Sequence, residues 1–143
     1  MTTHEETTPV LVGAGQITAR EPDPERTPIG LVAEAARAAA ADCGVTGVLG
    51  QIQSLTCLNI LAPSYSDAPS TLARHLGIDP GERFYTPIGG NMGQWLVGYY
   101  ADRIAAGGLD CILIAGGEAL ATQMRGKGAG LSGVLDTATG EGP

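Results

Sequence analysis

The sequence predicts an α/β layer, in which strands alternate with helices that cover the faces of a sheet. Three observations carry that expectation. Short apolar runs rich in strand formers recur along the chain: PVLVGAG at 9–15, IQSLTCLNIL at 52–61, RFYTPI at 83–88 and DCILIA at 110–115. Stretches with apolar residues three and four apart separate them, as amphipathic helices require. Turn and cap residues (Gly, Pro, Asp, Thr) stand at nearly every junction. The order strand, helix, strand, helix, strand, helix, strand predicts a βαβαβαβ layer. Its sheet is expected to be mixed, with right-handed crossovers where strands run parallel.

Each element has its own warrant. The run at 9–15 is short, β-branched and closed by glycine, which suits a buried strand. Gly13-Ala14-Gly15 resembles the opening of a dinucleotide-binding fingerprint. Thr18 holds the third glycine position, however, and Pro22 and Pro24 prevent a helix from opening there. Thr27 followed by Pro28 is a helix start. Ile29, Val32, Ala33, Ala36, Ala39 and Ala40 form the inner face of that helix, and Cys43-Gly44 ends it. The second strand follows at 52–61. Ser66 or Asp67 opens a short helix with Leu72, Ala73 and Leu76 inward and Gly77 as its stop. A third strand is expected at 83–88, and a third helix runs from 91 to 106 before Gly107-Gly108. The run at 110–115 is apolar throughout, which predicts a central strand. Beyond Thr122 the periodicity fails. The expected organisation is a flexible tail (1–8), one domain (9–122) and a loop segment or the start of a further region (123–143).

Composition narrows the function classes. The 143 residues suffice for one modest core, and 43% hydrophobic residues exclude disorder by composition. The net charge is −7 and the eight Lys and Arg are scattered, so nucleic acid is not an expected partner. Cys43, Cys57 and Cys111 lack CxxC spacing and read as buried free thiols in a reducing compartment. His4 and His75 are far apart, which argues against a metal site. No apolar run approaches the ~20 residues of a membrane span, and a cytoplasmic protein is expected.

The stretch FYTPIGGNMGQW at 84–95 stands out. A strand runs into a glycine-rich bend from which a helix opens, which brings backbone N–H groups to one point suited to a carbonyl oxygen or an anion. Gly89, Gly90 and Asn91 are therefore the candidate substrate-binding residues, although Asn91 alone reads first as a helix cap. No Ser or Cys stands in the bend. His75, before its helix's glycine cap, reads as a solvated histidine. Tyr85, Trp95, Tyr99 and Tyr100 read mostly as core or interface, and Trp95 and Tyr99, four apart, share a helical face.

The segment 86–120 resembles the N-terminal half of a thiolase, of the acetyl-CoA acetyltransferase family. In that family a Cys-x-Ser/Gly-Gly motif opens a buried helix, and a Gly-x-x-Asp turn leads to an apolar strand ending Gly-Gly-x-Glu. Here Gly107-Gly108-Leu109-Asp110 and Gly116-Gly117-Glu118 stand in those places. The opening PVLVGAGQ and the Thr-Pro-Ile-Gly-Leu helix start also fit, especially the branch related to sterol carrier protein thiolases. The resemblance spans roughly 9–122. Counting back from Glu118 and Gly107 puts the family's nucleophilic cysteine at Gly90, with Gly93 as the small helix residue. A glycine cannot form a thioester, so no catalytic residue is assigned on this chain.

The resemblance implies an acyl-CoA-binding, acyl-transferring protein of lipid metabolism, with the coenzyme A thioester as substrate and no separate cofactor. Glu118 would be chiefly structural. The family's catalytic His, second Cys and water-positioning Asn lie in a C-terminal half that these 143 residues do not include. Self-association, or pairing with a complementary thiolase-like subunit, would use the strand at 83–88. The alternative is a non-catalytic scaffold or fragment that pairs with a catalytic thiolase-like partner. Whether the chain is an enzyme stays open between the two.

Overall fold

A computed structural model describes residues 7–122, apart from 22, 24, 62 and 63. The elements are α1 (Pro28–Cys43), a 3-10 turn (Val48–Gln51), β1 (Ser54–Cys57), α2 (Ala68–Leu76), β2 (Glu82–Tyr85), α3 (Met92–Ala105) and β3 (Ile112–Ala115). The expected terminal tail, except Thr7 and Thr8, and the expected segment 123–143 lie outside the described residues.

The helix boundaries follow local chemistry. Thr27 Oγ1 accepts the Gly30 N–H at 3.0 Å, and Pro28 needs no hydrogen-bond partner in the first turn. Asp67 Oδ1 does the same for Ser70 N–H at 3.0 Å. α1 and α2 end at Gly44 and Gly77, whose φ values of 71° and 68° are left-handed and strain a side chain.

The sheet has the order β2-β1-β3, and both pairings are parallel. The mixed sheet expected from sequence is thus corrected to a parallel one among the described residues. The pleat divides the residues between two faces. Leu55 and Cys57, with Tyr85, Leu113 and Ala115 beside them, face α1 and α2. There they join Ile29, Val32, Ala33, Ala68 and Leu72 in the larger core. Among the described residues, the one helix on the opposite face is α3. Its core is Leu96, Tyr100 and Leu109, with Leu58, Ile104, Ile112 and Ile114 packed against them.

Two further expectations are overturned. The run at 9–15 forms no strand, and Val10, Leu11 and Val12 are 71%, 88% and 57% exposed. Its glycines lie instead on the back of α1. A Cβ at Gly13 would stand 2.3 Å from the Ala39 carbonyl oxygen, and one at Gly15 2.3 Å from that of Ala35. The Ala14 N–H is taken by Asp42 Oδ2 at 2.9 Å. A cleft of about 350 Å³ separates the run from Leu109, Cys111 and Ile112. The second is β3, which is an edge strand and half-buried, while β1 is central and fully buried. Apolar content reports that a strand is to be covered, and it does not say by which neighbour. The strands are also shorter than expected, because the chain leaves the sheet after Cys57 and Tyr85 to build the rim described next.

Candidate functional site

The carboxyl ends of the three parallel strands form one rim, the usual place for a ligand crevice in such sheets. The loop after β1 is fastened there by four successive backbone N–H groups. Leu58 donates to the Ala115 carbonyl at 2.8 Å, beyond the end of β3 pairing. Asn59 donates to Thr86 Oγ1 at 3.0 Å, and its side-chain amide donates to the Thr86 carbonyl at 3.2 Å. Ile60 donates to the Tyr85 hydroxyl at 3.0 Å. Leu61 donates to Glu118 Oε1 at 2.6 Å. Glu118 thus holds backbone, as a structural carboxylate does. Its Oε2 is buried without a partner among the described residues.

Gly89, Gly90 and Asn91 stand on this rim, all three exposed, between β2 and α3. The Met92 N–H closes onto the Gly89 carbonyl at 3.1 Å, and the Trp95 N–H onto that of Asn91 at 3.0 Å. Asn91 is the N-cap residue by position, with φ −91° and ψ −5°. Its side chain makes no capping hydrogen bond. It leans back instead, since a Cβ at Gly89 would meet Asn91 Oδ1 at 3.1 Å. The first turn of α3 is therefore free of a side-chain cap. Gly90 is not among the glycines with positive φ, and a Cβ there would meet nothing within 4 Å. Neither backbone conformation nor space requires glycine at this position.

Behind the turn, the Leu58 side chain links α3 to the end of β3. It lies 3.7 Å from where a Cβ at Gly93 would be and 2.9 Å from one at Gly116. Gly116 is small because Leu58 occupies its space.

No cysteine replaces a nucleophile at the turn. Cys57 is fully buried, its thiol contacts the Leu58 carbonyl at 3.4 Å, and burial pushes its pKa up to about 12. It stays protonated at neutral pH. Cys43 and Cys111 are half-exposed, not buried as expected, and burial raises the Cys111 thiol as well. The His75 ring is exposed, and its backbone carbonyl is what the fold uses, as an acceptor for Arg37 of α1. No group of three metal-ligating side chains occurs among the described residues.

A polar network lies beneath α3. The Tyr100 hydroxyl, buried in the smaller core, is 2.9 Å from Ser54 Oγ and 2.5 Å from Thr56 Oγ1. Arg103 donates to both carboxylate oxygens of Glu82, at 2.6 and 2.9 Å. Those bonds hold the Glu82 carboxyl below its usual range, with a smaller share from the Ser54 hydroxyl, and they raise Arg103. In each of the two hydroxyl pairs of Tyr100 either oxygen can be the donor. Sequence reasoning passed over Asn59 and Thr86 at the rim and Ser54 and Thr56 beneath α3, and it read Tyr85 and Tyr100 only as core or interface. Their one visible signal is polarity inside otherwise apolar runs.

A parallel layer with a glycine turn opening a helix at its carboxyl rim defines the class: an α/β fold of thiolase-like kind. Among solved structures, the chain is similar to a monomeric SCP2-thiolase like protein type 1 from Mycobacterium smegmatis. The TM-score is 0.68 and the sequence identity 35%, covering 78% of this chain and 23% of that one. The chain is thus related to the thiolase-like superfamily and carries part of its fold, spanning about a quarter of that relative's length. No family model matches the chain, and no curated protein matches it. No helix among the described residues is long and apolar enough to cross a membrane.

Proposed function

We propose that this chain supplies the Gly89–Gly90–Asn91 turn to an acyl-CoA-binding site of a thiolase-like protein. Acyl transfer there proceeds without a cysteine nucleophile on this chain. Gly90 takes the position at which thiolases carry that cysteine. The observation that carries the reading is the uncapped first turn of α3, standing exposed at the carboxyl rim of the parallel sheet. Backbone donors at that point suit a thioester carbonyl, whose oxygen gains negative charge as it is attacked. The coenzyme A thioester is the substrate, and the proposal needs no further cofactor.

Gly90→Cys is the test. The open space and ordinary backbone at Gly90 admit the side chain, so the variant keeps its melting temperature. Incubated with radiolabelled acetyl-CoA, it is expected to retain label that hydroxylamine releases, while the parent chain retains none. A folded variant that binds acetyl-CoA and takes up no label would remove Gly90 from the reactive end of the site.

A second reading, a non-catalytic scaffold that pairs with a thiolase-like partner or with its own copy, is favoured by one observation. β2 is an edge strand, and Phe84 on it is 44% exposed.

A further inference from the structure

The segment from β2 through the glycine turn to the end of α3 is closed at its base. β2 begins at Glu82, the chain bends between Tyr85 and Met92, and α3 returns so that Arg103, in its last turn, donates to both carboxylate oxygens of Glu82 at 2.6 and 2.9 Å. The glycine turn is the apex of that closed unit, and the ion pair lies at its other end. Tyr100, three residues before Arg103, is its neighbour on the helix surface. The Tyr100 hydroxyl stands 2.9 Å from Ser54 Oγ and 2.5 Å from Thr56 Oγ1. Ser54 and Glu82 are register partners in the β1–β2 pair, so the two fasteners reach adjacent strands at one level.

These contacts resist movement in particular directions. Ser54 and Thr56 are alternate residues of one strand, about 6.6 Å apart along it. With the Tyr100 hydroxyl in bonding distance of both, sliding α3 along β1 lengthens one contact whichever way it goes. The planar guanidinium meets the carboxylate edge to edge, so rotation of α3 about its axis breaks one of those two bonds. The apolar contacts of Leu96, Ile104, Leu109 and Ile112 have no such preference for direction. α3 is one helix of 14 residues, and Tyr100 stands ~12 Å from Met92 at the usual rise per residue. Over two turns a helix shifts as a unit, so its place at Tyr100 sets its place at the first turn.

We infer that Tyr100 and Arg103 are positioning residues for the glycine turn: they fix the axial place and the rotation at which α3 presents its first-turn N–H groups to a thioester carbonyl. They act through the helix and not by touching the ligand. The inference rests on the acyl-CoA reading for the ligand, and on the contacts of α3 itself for the place of the turn. Donors at such a turn act only where they meet the oxygen on which charge develops, and a misplacement of about 1 Å costs ~100-fold in rate.

Two readouts test it on the full chain, at a temperature well below the melting point of every variant. The first is the amide spectrum of Gly89, Gly90, Asn91 and Met92 in isotope-labelled protein. Tyr100→Phe and Arg103→Met are expected to move these resonances. Ile104→Ala, which removes apolar packing from the same helix, is expected to leave them in place. The exchanged pair, Glu82→Arg with Arg103→Glu, is expected to bring them back. The second readout is acetyl labelling in the Gly90→Cys background. There Tyr100→Phe is expected to slow labelling at saturating acetyl-CoA by ~10–100-fold, while the affinity for acetyl-CoA stays within about threefold. Resonances that Ile104→Ala moves as far as Tyr100→Phe does would mean a structural role alone and overturn the inference, as would resonances that no variant moves. Labelling at the parent rate beside displaced resonances would overturn it too. Failure of Gly90→Cys itself to take up label would overturn the acyl-CoA reading instead, and the resonances would then decide whether Tyr100 and Arg103 place the turn.

Discussion

The two faces of the sheet are covered in different ways. On the α1/α2 side, Leu55 and Cys57 are enclosed among Ile29, Val32, Leu72 and their neighbours. On the α3 side, the same strand β1 presents Ser54 and Thr56, and a small apolar cluster is supplemented by the hydroxyl chain Ser54–Tyr100–Thr56. The first face is held by area removed from water, which is tolerant of direction. The second is supplemented by hydrogen bonds, which are directional and costly to leave half made. A strand of four residues thus supports a dense core on one side and a polar register on the other.

That contrast can be broken most sharply at Cys57. Its thiol, moved by burial from 9.0 to about 12, is expected to alkylate roughly a thousandfold more slowly than an ordinary thiol at pH 8, three pH units being lost. Iodoacetamide labelling followed by peptide mapping should find Cys43 and Cys111 modified first and Cys57 only on unfolding. Prompt native labelling of Cys57 would show that the α1/α2 face opens. The linkage has a definite sign. The folded state holds the Cys57 proton more tightly than the unfolded chain, so this contribution to stability is complete below pH 9. It is lost as pH rises from about 9 towards about 12. Burial raises Tyr85 in the same sense. Cys57→Ala should flatten the alkaline fall in a denaturant titration.

Leu55→Ala and Leu96→Ala compare the two cores directly. Leu55 is 0% and Leu96 3% exposed, yet Leu55 is enclosed from three elements. The first is expected to cost about 3–5 kcal/mol and the second roughly 2, from urea midpoints at constant m-value. Equal losses would mean that the α3 side is as fully packed as the other. A smaller effect is expected from Tyr100→Phe, which strands the Thr56 and Ser54 hydroxyls. About 1–3 kcal/mol should be lost, and the double variant with Thr56→Val should recover part of it. No recovery would remove the hydroxyl chain as the cause.

What was legible in the sequence was local. Thr27-Pro28, Asp67, Gly44 and Gly77 mark helix ends through contacts within four residues, and the structure puts the ends there. The glycine turn before α3 was legible for the same reason. Strand roles were not. The apolar run at 9–15 lies unpaired on α1, and the one at 110–115 is an edge, because pairing depends on neighbours remote in sequence. The rim was equally hidden: Asn59 meets Thr86, Ile60 meets Tyr85 and Leu61 meets Glu118 across 25 to 57 positions. No periodicity encodes such contacts.

The four consecutive N–H groups of residues 58–61 reach into β3, the Thr86 bend, β2 and the turn after β3 in succession. They turn a connecting loop into a cross-tie among three strand ends. The rotational freedom such a loop would surrender on meeting a ligand has already been surrendered in folding. A ligand bound at the glycine turn, as proposed, would not have to order that loop, and its affinity would not be diminished by that cost.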